Sequence, residues 1–212
     1  MKKKKTITAA IVLLLVFLVG GAIAYFTDTD NATNTFTIGN VDITLTEPNW
    51  STTDEDNNGV PDASQDLMPG QTVAKDPTIN NVSTTNPAYV FAKVEVPCTT
   101  AASPATPVEI FNYTVNSGWT ELPSAAVACT SGGTATHVYY YGTGGSLTAL
   151  AKATSASTPT STPAVFNNVT LLNNLTGNEG LTGNKNIVVT GYGIQTQGLA
   201  STTPTDVWAN FS

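Results

Sequence analysis

The stretch Ala88-Tyr89-Val90-Phe91-Ala92-Lys93-Val94-Glu95-Val96 decides the fold of this chain. Its even-numbered residues are all small or branched apolar residues, whereas Lys93 and Glu95 stand at odd positions. Successive side chains of a strand point to opposite faces of the sheet, so this alternation predicts a β-strand with one face in a core.

The same period of two continues toward both ends of the chain. Phe36 and Ile38 share one phase, which shifts by one residue at Gly39-Asn40 and resumes over 41–45, as at a β-bulge. Further strands are expected at 71–80, 109–115, 124–130, 135–141, 164–171 and 186–197, each bounded by Gly, Pro, Asn or Ser. Eight or nine short strands predict an all-β fold, a two-sheet antiparallel sandwich of jelly-roll type.

Other segments read as loops or as a terminal helix. Residues 99–107 and 151–162 are rich in Pro, Ser, Thr and Ala and are expected to be surface loops. Thr203-Pro204-Thr205-Asp206 has the residues of a helix start, so a short helix that packs Trp208 and Phe211 on the sandwich is expected. A frayed tail is the alternative.

The beginning of the chain has the order of a secretory signal peptide. Lysines at 2–5 precede the apolar run from Ile7 to Ile23, and Ala22-x-Ala24 fits the small subsites of a signal peptidase. We therefore predict a signal peptide over 1–24, cleavage between Ala24 and Tyr25, and a single secreted domain over 25–212. A retained membrane anchor is the alternative interpretation.

The composition argues against nucleic acid as a partner. With four lysines, no arginine and fifteen acidic residues, residues 25–212 carry a formal charge of −11. Such a surface repels phosphate backbones. Abundant Thr, Ser, Asn and Gly are typical of a secreted β protein with a hydroxyl-rich surface.

Cys98 and Cys129 are the only cysteines in the chain. Because an exported chain meets an oxidising environment, we predict that they form an intramolecular disulfide. Two free thiols are the alternative, and no CxxC spacing supports a redox role.

The segment from Asp54 to Asp62, DEDNNGVPD, resembles a calcium-binding loop. Oxygen donors fall at positions 1, 3, 5 and 9, and Gly59 at position 6 allows a sharp turn around an ion. Position 12 holds Gln65 instead of the usual acid, with Asp66 next to it. The sequence predicts a calcium site without flanking helices, and a solvated acidic turn is the alternative. The predicted ligands are Asp54, Asp56, Asn58, Val60 through its carbonyl, Asp62 and Asp66.

No catalytic residues are predicted. His137 is the only histidine, and its place in an alternating run indicates a half-buried strand residue. One histidine cannot form HExxH or a multi-histidine zinc site, and no serine stands in a GxSxG elbow.

After Ala24 the sequence reads YFTDTDNATNTFTIGNVDI, and 67–81 reads LMPGQTVAKDPTINN, which contains PGQ and KDPT. These segments, in order along the chain, resemble the TasA/camelysin family. Residues 86–94, 162–169 and 191–199 carry further strand-like matches. Residues 99–160 carry no such signature.

The resemblance implies a function that composition alone does not indicate. Family members are secreted after cleavage by a SipW-type signal peptidase, and related fibres join by donor-strand complementation. Transferred to this chain, the donor is residues 25–37, and Tyr25, Phe26, Phe36 and Ile38 are the polymerisation residues. Phe36 and Ile38 could instead belong to the subunit's own first strand.

The resemblance therefore predicts a secreted, non-enzymatic subunit of a homopolymer, located in extracellular matrix or cell-surface fibres, with accessory matrix proteins as further partners. A monomeric calcium-binding surface adhesin is the second hypothesis. A camelysin-like peptidase is the third, for which the sequence supplies no mechanism.

Overall fold

The computed structural model describes residues 41–100, 106–155, 157–173 and 185–211. Within these ranges the chain is almost entirely extended. In chain order the elements are β1 (Ile43–Thr46), a 3-10 turn (Asp62–Ser64), β2 (Thr72–Ala74), β3 (Thr78–Asn81), β4 (Ala88–Pro97), β5 (Phe111–Asn112), β6 (Trp119–Glu121), a 3-10 turn (Pro123–Ala125), β7 (Thr134–Thr143), β8 (Ser146–Leu147), β9 (Thr160–Ser161), β10 (Asn168–Leu171), β11 (Val188–Gln195) and helix α1 (Pro204–Trp208).

One layer is a sheet with the strand order β11-β4-β7-β6, to which β8 adds by pairing with β7. All its ladders are antiparallel, with Phe91 opposite both Tyr140 of β7 and Tyr192 of β11. On β4, Val90 and Val94 have no exposed surface, as the alternating pattern predicts.

The opposite layer consists of two three-stranded antiparallel sheets, β1-β3-β9 and β2-β10-β5. Their inward side chains join those of β4 and β7 in one apolar core, in which Ile79, Val165 and Phe166 are fully buried. The two layers form a sandwich without barrel closure, so the predicted all-β antiparallel sandwich is confirmed.

Glycines allow one part of the two layers to approach closely. Gly191 and Gly193 stand on the inward face of β11, opposite β1. A Cβ atom at Gly193 would lie 2.9 Å from Ile43 Cγ2, and one at Gly191 would lie 3.3 Å from Ile79 Cδ1. A side chain at these positions would push β1 and β3 away from the first sheet.

The outer face of the first sheet is covered by α1. Thr203 caps this helix, because its hydroxyl accepts from the Asp206 backbone N–H at 3.3 Å. Trp208 and Phe211 then contact Phe91, with ring centroids 5.5 and 5.8 Å away. The predicted terminal helix is therefore confirmed, and the frayed tail is not observed.

Several details differ from the sequence prediction. The predicted strand 71–80 is two strands, β2 and β3, which belong to different sheets. Residues 124–130 are not a strand, because Pro123–Ala125 forms a 3-10 turn and only Val127 makes a bridge, to Thr136. The short strands β6, β8 and β9 were not predicted, since two or three residues show no measurable alternation. Within the predicted loop 151–162, Thr160–Ser161 pairs with β3.

Among the residues that the structure describes, no helix has the length and apolar character needed to cross a membrane. The predicted signal peptide over 1–24 lies outside the described residues.

Candidate functional site

The acidic loop after β1 brings three of its carboxylates together. Oxygen atoms of Asp54, Asp56 and Asp62 all lie within 4.8 Å of one another. The loop closes because Asn58 and Gly59 donate backbone N–H groups to Asp54, at 3.1 and 2.9 Å. The spacing that suggested a calcium loop therefore corresponds to convergent side chains in the folded chain.

Backbone conformation explains why Asn and Gly occupy the tip of this loop. Asn57 and Gly59 have φ values of 54° and 83°, in the left-handed region that glycine and asparagine tolerate best. Partial burial raises the pKa of the Asp54 carboxyl, but the N–H of Gly59 and contacts with Asp56 and Asn58 outweigh this effect. The pKa of Asp54 is thereby lowered below its ordinary value.

The two residues around position 12 behave differently from the prediction. Asp66 is not part of the carboxylate group, and its φ of 45° turns the chain away after the loop. Gln65 reaches into the loop instead, where its amide nitrogen lies 2.8 Å from the Val60 carbonyl and 3.3 Å from Asp62 Oδ1. A carboxamide thus stands where calcium loops carry their last acid.

The chemistry of this donor set is that of a hard-cation site. Carboxylate, amide and carbonyl oxygens are the ligands that Ca²⁺ takes in proteins, whereas zinc sites use His and Cys. In the described part of the chain, this is the only group of three or more His, Cys, Asp or Glu side chains close enough to share one ion.

A second polar cluster lies near one end of the first sheet. His137 of β7 is bracketed by two carboxylates: Nδ1 lies 2.7 Å from Glu121 Oε1 and Nε2 lies 2.9 Å from Glu109 Oε1. The hydroxyls of Tyr113 and Tyr139 are 3.0 Å apart beside the imidazole. We call these five residues the His137 cluster.

The environment of this cluster sets its protonation. The hydrogen bond with Glu109 dominates over burial, and with the Glu121 bond it raises the pKa of His137 from 6.5 to about 9. Burial raises the pKa of Tyr139 to about 12 and that of Tyr113 further still. At neutral pH the cluster holds an imidazolium between two carboxylates and beside neutral phenols.

A cleft of about 1030 Å³ opens next to Glu109 and His137. The predicted disulfide is present, with Cys98 and Cys129 joined at an S–S distance of 2.05 Å, and Cys129 forms part of the cleft wall. No local motif indicates this cluster, because Glu109 and Glu121 lie 28 and 16 residues before His137.

The segment that resembles the family motif KDPT has a structural role in this fold. The Lys75 ammonium lies 2.7 Å from Glu47 Oε1 and 5.1 Å from the centre of the Trp50 ring. Asp76 accepts from the backbone and side-chain N–H groups of Asn49 at 2.9 and 2.8 Å. These partly buried contacts fasten the turn after β1 to the β2–β3 connection.

The predicted cleavage and polymerisation residues lie outside the described residues. These are Ala24, Tyr25, Phe26, Phe36 and Ile38.

Comparison with known protein families gives a match to the first half of the chain. Residues 1–103 match the family described as camelysin metallo-endopeptidase. No curated protein and no solved structure shows significant similarity to the chain.

The metal that this family description implies can be tested against the donors on the described residues. A peptidase zinc ion usually takes His-containing sets of three protein ligands. Here the sole histidine has a carboxylate on each ring nitrogen, on opposite sides of the ring, and the convergent carboxylates of the acidic loop are all oxygen donors. These residues do not fit a catalytic zinc site.

The match over 1–103 confirms the resemblance to the TasA/camelysin family that the sequence motifs indicated.

Proposed function

We propose that the mature chain is a secreted structural subunit that polymerises head-to-tail into extracellular fibres. A SipW-type signal peptidase would release the chain at Tyr25, and residues 25–37 would then complete the sandwich of the next subunit. The family match and the antiparallel sandwich support this assignment. The resulting contact is heterologous and does not close, so it leads to filaments and not to rings.

The observation that carries the proposal is a pair of adjacent sheet edges. Among the described residues, β1 pairs only with β3 and β11 pairs only with β4. The two strands face each other through Gly193 and Ile43. No residue of either strand is fully buried, whereas the inward residues of β4 are. The core is therefore least covered from solvent where β1 meets β11. We call these two strands, Ile43–Thr46 and Val188–Gln195, the seam.

A donor strand would find backbone partners along β11. Thr196 donates its N–H to the Pro87 carbonyl at 3.3 Å, so even-numbered residues of β11 direct their polar groups toward β4. By the alternation of an antiparallel ladder, odd-numbered residues such as Val189 and Gly193 direct theirs to the free edge. A strand added there gains hydrogen bonds, and its alternate apolar side chains cover the half-buried core residues.

Deletion of the donor tests the proposal. A mature chain that lacks Tyr25 to Asp30 should remain a soluble monomer and keep the β-sheet circular dichroism of the parent. A matched control with serine at Thr27 and Thr29 retains the length and polarity of the segment and should form fibres. Electron microscopy of both proteins gives the readout. Filaments that form as readily after the deletion would exclude the donor-strand mechanism.

We further propose that the acidic loop binds calcium in this subunit. The convergence of Asp54, Asp56 and Asp62 supports the proposal.

Binding to the folded state alone adds about 2.7 kcal/mol to the free energy of unfolding at a hundredfold excess over the dissociation constant. Calcium should therefore raise the Tm of the wild type but not that of the Asp54→Ala, Asp56→Ala variant. Glu55→Ala, at an exposed neighbour outside the carboxylate group, is the control and should respond like the wild type. A wild-type Tm that is indifferent to calcium and to chelator leaves the acidic turn without an ion.

The proposed role is structural and not hydrolytic, although the family description names a peptidase. Both ring nitrogens of His137 contact carboxylates, which leaves neither free to act as a base. Purified mature protein, with and without added zinc, should not cleave casein. Cleavage that persists through purification and is lost in His137→Gln would overturn this part of the proposal.

A further inference from the structure

The acidic loop also holds a pair of residues arranged for a covalent change. We propose that Asn58-Gly59 is a site of spontaneous modification, at which the Asn58 amide closes onto the Gly59 nitrogen and then hydrolyses to aspartate or isoaspartate. This inference does not depend on the proposed fibre role.

The attacking atom is placed beside a base. The backbone nitrogen of Gly59 donates its proton to Asp54 Oδ2 at 2.9 Å, so a carboxylate is in position to accept that proton as the nitrogen attacks. Gly59 has no side chain to obstruct the ring closure. The space beside its Cα is also open, because no other atom lies within 4 Å of the position that a Cβ would take. The loop is exposed at this point, so water can reach the product.

The attacked carbonyl is polarised by a second backbone group. Val60 donates its N–H to Asn58 Oδ1 at 2.8 Å, and the same donor would stabilise negative charge that develops on that oxygen. Asp56 Oδ2 accepts from Asn58 Nδ2 at 2.8 Å, which fixes the orientation of the amide with its oxygen toward Val60. One carboxylate thus faces the nucleophile, and one N–H faces the developing oxyanion.

The reaction balances with water as the only co-reactant. The bond from Gly59 N to Asn58 Cγ forms, and the bond from Cγ to Nδ2 breaks. Asp54 takes the proton from Gly59 N and returns it to water, while Nδ2 takes a proton from water and leaves as ammonia. Water then opens the cyclic imide at either carbonyl, and the products are aspartate or isoaspartate at position 58. Either product adds a negative charge to the acidic loop.

The preceding residue provides an internal comparison. Asn57 is followed by Asn58, whose side chain obstructs attack by its own backbone nitrogen. The Asn58 N–H donates to Asp54 and Asp56 over the longer distances of 3.1 and 3.3 Å, so proton transfer from this nitrogen is less favoured than from Gly59. Modification should therefore concentrate at Asn58.

The experiment measures modification at single residues. Mature protein is incubated at neutral pH with chelator, in oxygen-labelled water, and peptide mapping follows label uptake and isoaspartate at each asparagine. The folded wild type should react faster at Asn58 than the same chain unfolded in guanidinium. Asp54→Asn keeps a hydrogen-bond acceptor but removes the base, and should slow the reaction by at least about tenfold. Glu55→Gln, at an exposed residue of the same loop outside the carboxylate group, is the matched control and should react like the wild type.

Two outcomes would overturn the inference. A folded wild type that reacts no faster at Asn58 than the unfolded chain means that the loop does not promote ring closure, whatever the variants show. Equal slowing in Asp54→Asn and Glu55→Gln means that the effect is one of loop conformation and not of the base at Gly59.

Discussion

His137 links three separate parts of the chain through one imidazolium. It joins β7 to Glu121 at the end of β6 and to Glu109 before β5. Its pKa is raised from 6.5 to about 9, so its stabilising contribution is complete below pH 6.5 and is lost as the pH rises through about 9. After allowance for solvent screening at the partly exposed carboxylates, we expect a contribution of about 1–2 kcal/mol.

Measurement of the free energy of unfolding against pH tests this assignment. The wild type should lose stability between pH 6.5 and 9, and His137→Gln should show a flatter profile over the same range. Glu95→Gln, which removes a partly exposed partner of Lys93 on the opposite face of the sheet, is the control and should retain the wild-type slope. A wild-type curve that is flat from pH 6.5 to 9 would contradict the paired imidazolium.

At the level of single residues, the sequence predicts those structural features that are set by residues close to them in the chain. The half-buried position of His137 follows from its place in an alternating run, and the closure of Asp54 on Gly59 follows from a local motif. The two carboxylates that raise the pKa of His137 come from other parts of the chain, so no local pattern identifies them. Gln65 stands where a calcium loop usually has an acid, and the length of its side chain lets it reach the carbonyl of Val60.

Among the elements, β11 depends most on the absence of side chains. Gly193→Ala would place a methyl group 2.9 Å from Ile43 Cγ2, closer than packed carbon atoms come. Relief requires a shift of β1, and overpacking of this kind costs about 1–3 kcal/mol. Gly191→Ala, where the nearest atom is 3.3 Å away at the flexible end of Ile79, is the matched comparison and should cost less. Urea unfolding of both variants measures the difference; an equal or reversed order would show that β1 does not press on Gly193.

Element prediction succeeded where alternation was long and failed where it was short. β4 and β7 each run for ten residues, and both were predicted within a few residues of their bounds. Residues 125–129 form a short apolar run, but Pro123 favours a 3-10 turn and only Val127 finds a pairing partner. Whether a residue at a sheet edge forms β-ladder hydrogen bonds depends on its distance from the neighbouring strand. The local sequence does not determine that distance.

For the whole molecule, the disulfide is the one covalent link between distant segments. It joins residues separated by 31 positions, so its removal restores the freedom of that loop in the unfolded chain. Cys98→Ser with Cys129→Ser should lower the free energy of unfolding by about 3–4 kcal/mol on the chain-entropy argument. The Lys93–Glu95 pair lies outside this loop, so Lys93→Ala in the oxidised protein provides a control of small effect. Equal stability of the double variant and the oxidised wild type would contradict the prediction.

The mass of residues 25–212 in solution distinguishes the two main functional hypotheses. If a neighbour's N-terminal segment completes the seam, it buries the half-exposed residues of β1 and β11, and the mature chain should form species that grow with concentration, with or without calcium. Fibres made in this way should also withstand heat and detergent better than the Tyr25–Asp30 deletion monomer, because dissociation requires removal of a whole paired strand.

A calcium-dependent adhesin would instead remain a monomer. Its stability would respond to the ion, and its mass would not. Single-particle mass measurements of the mature protein, with calcium and with chelator, therefore separate these cases. A monomer under both conditions and at all concentrations would reject the fibre role, while growth only with calcium would make the acidic loop, and not the seam, the contact between subunits.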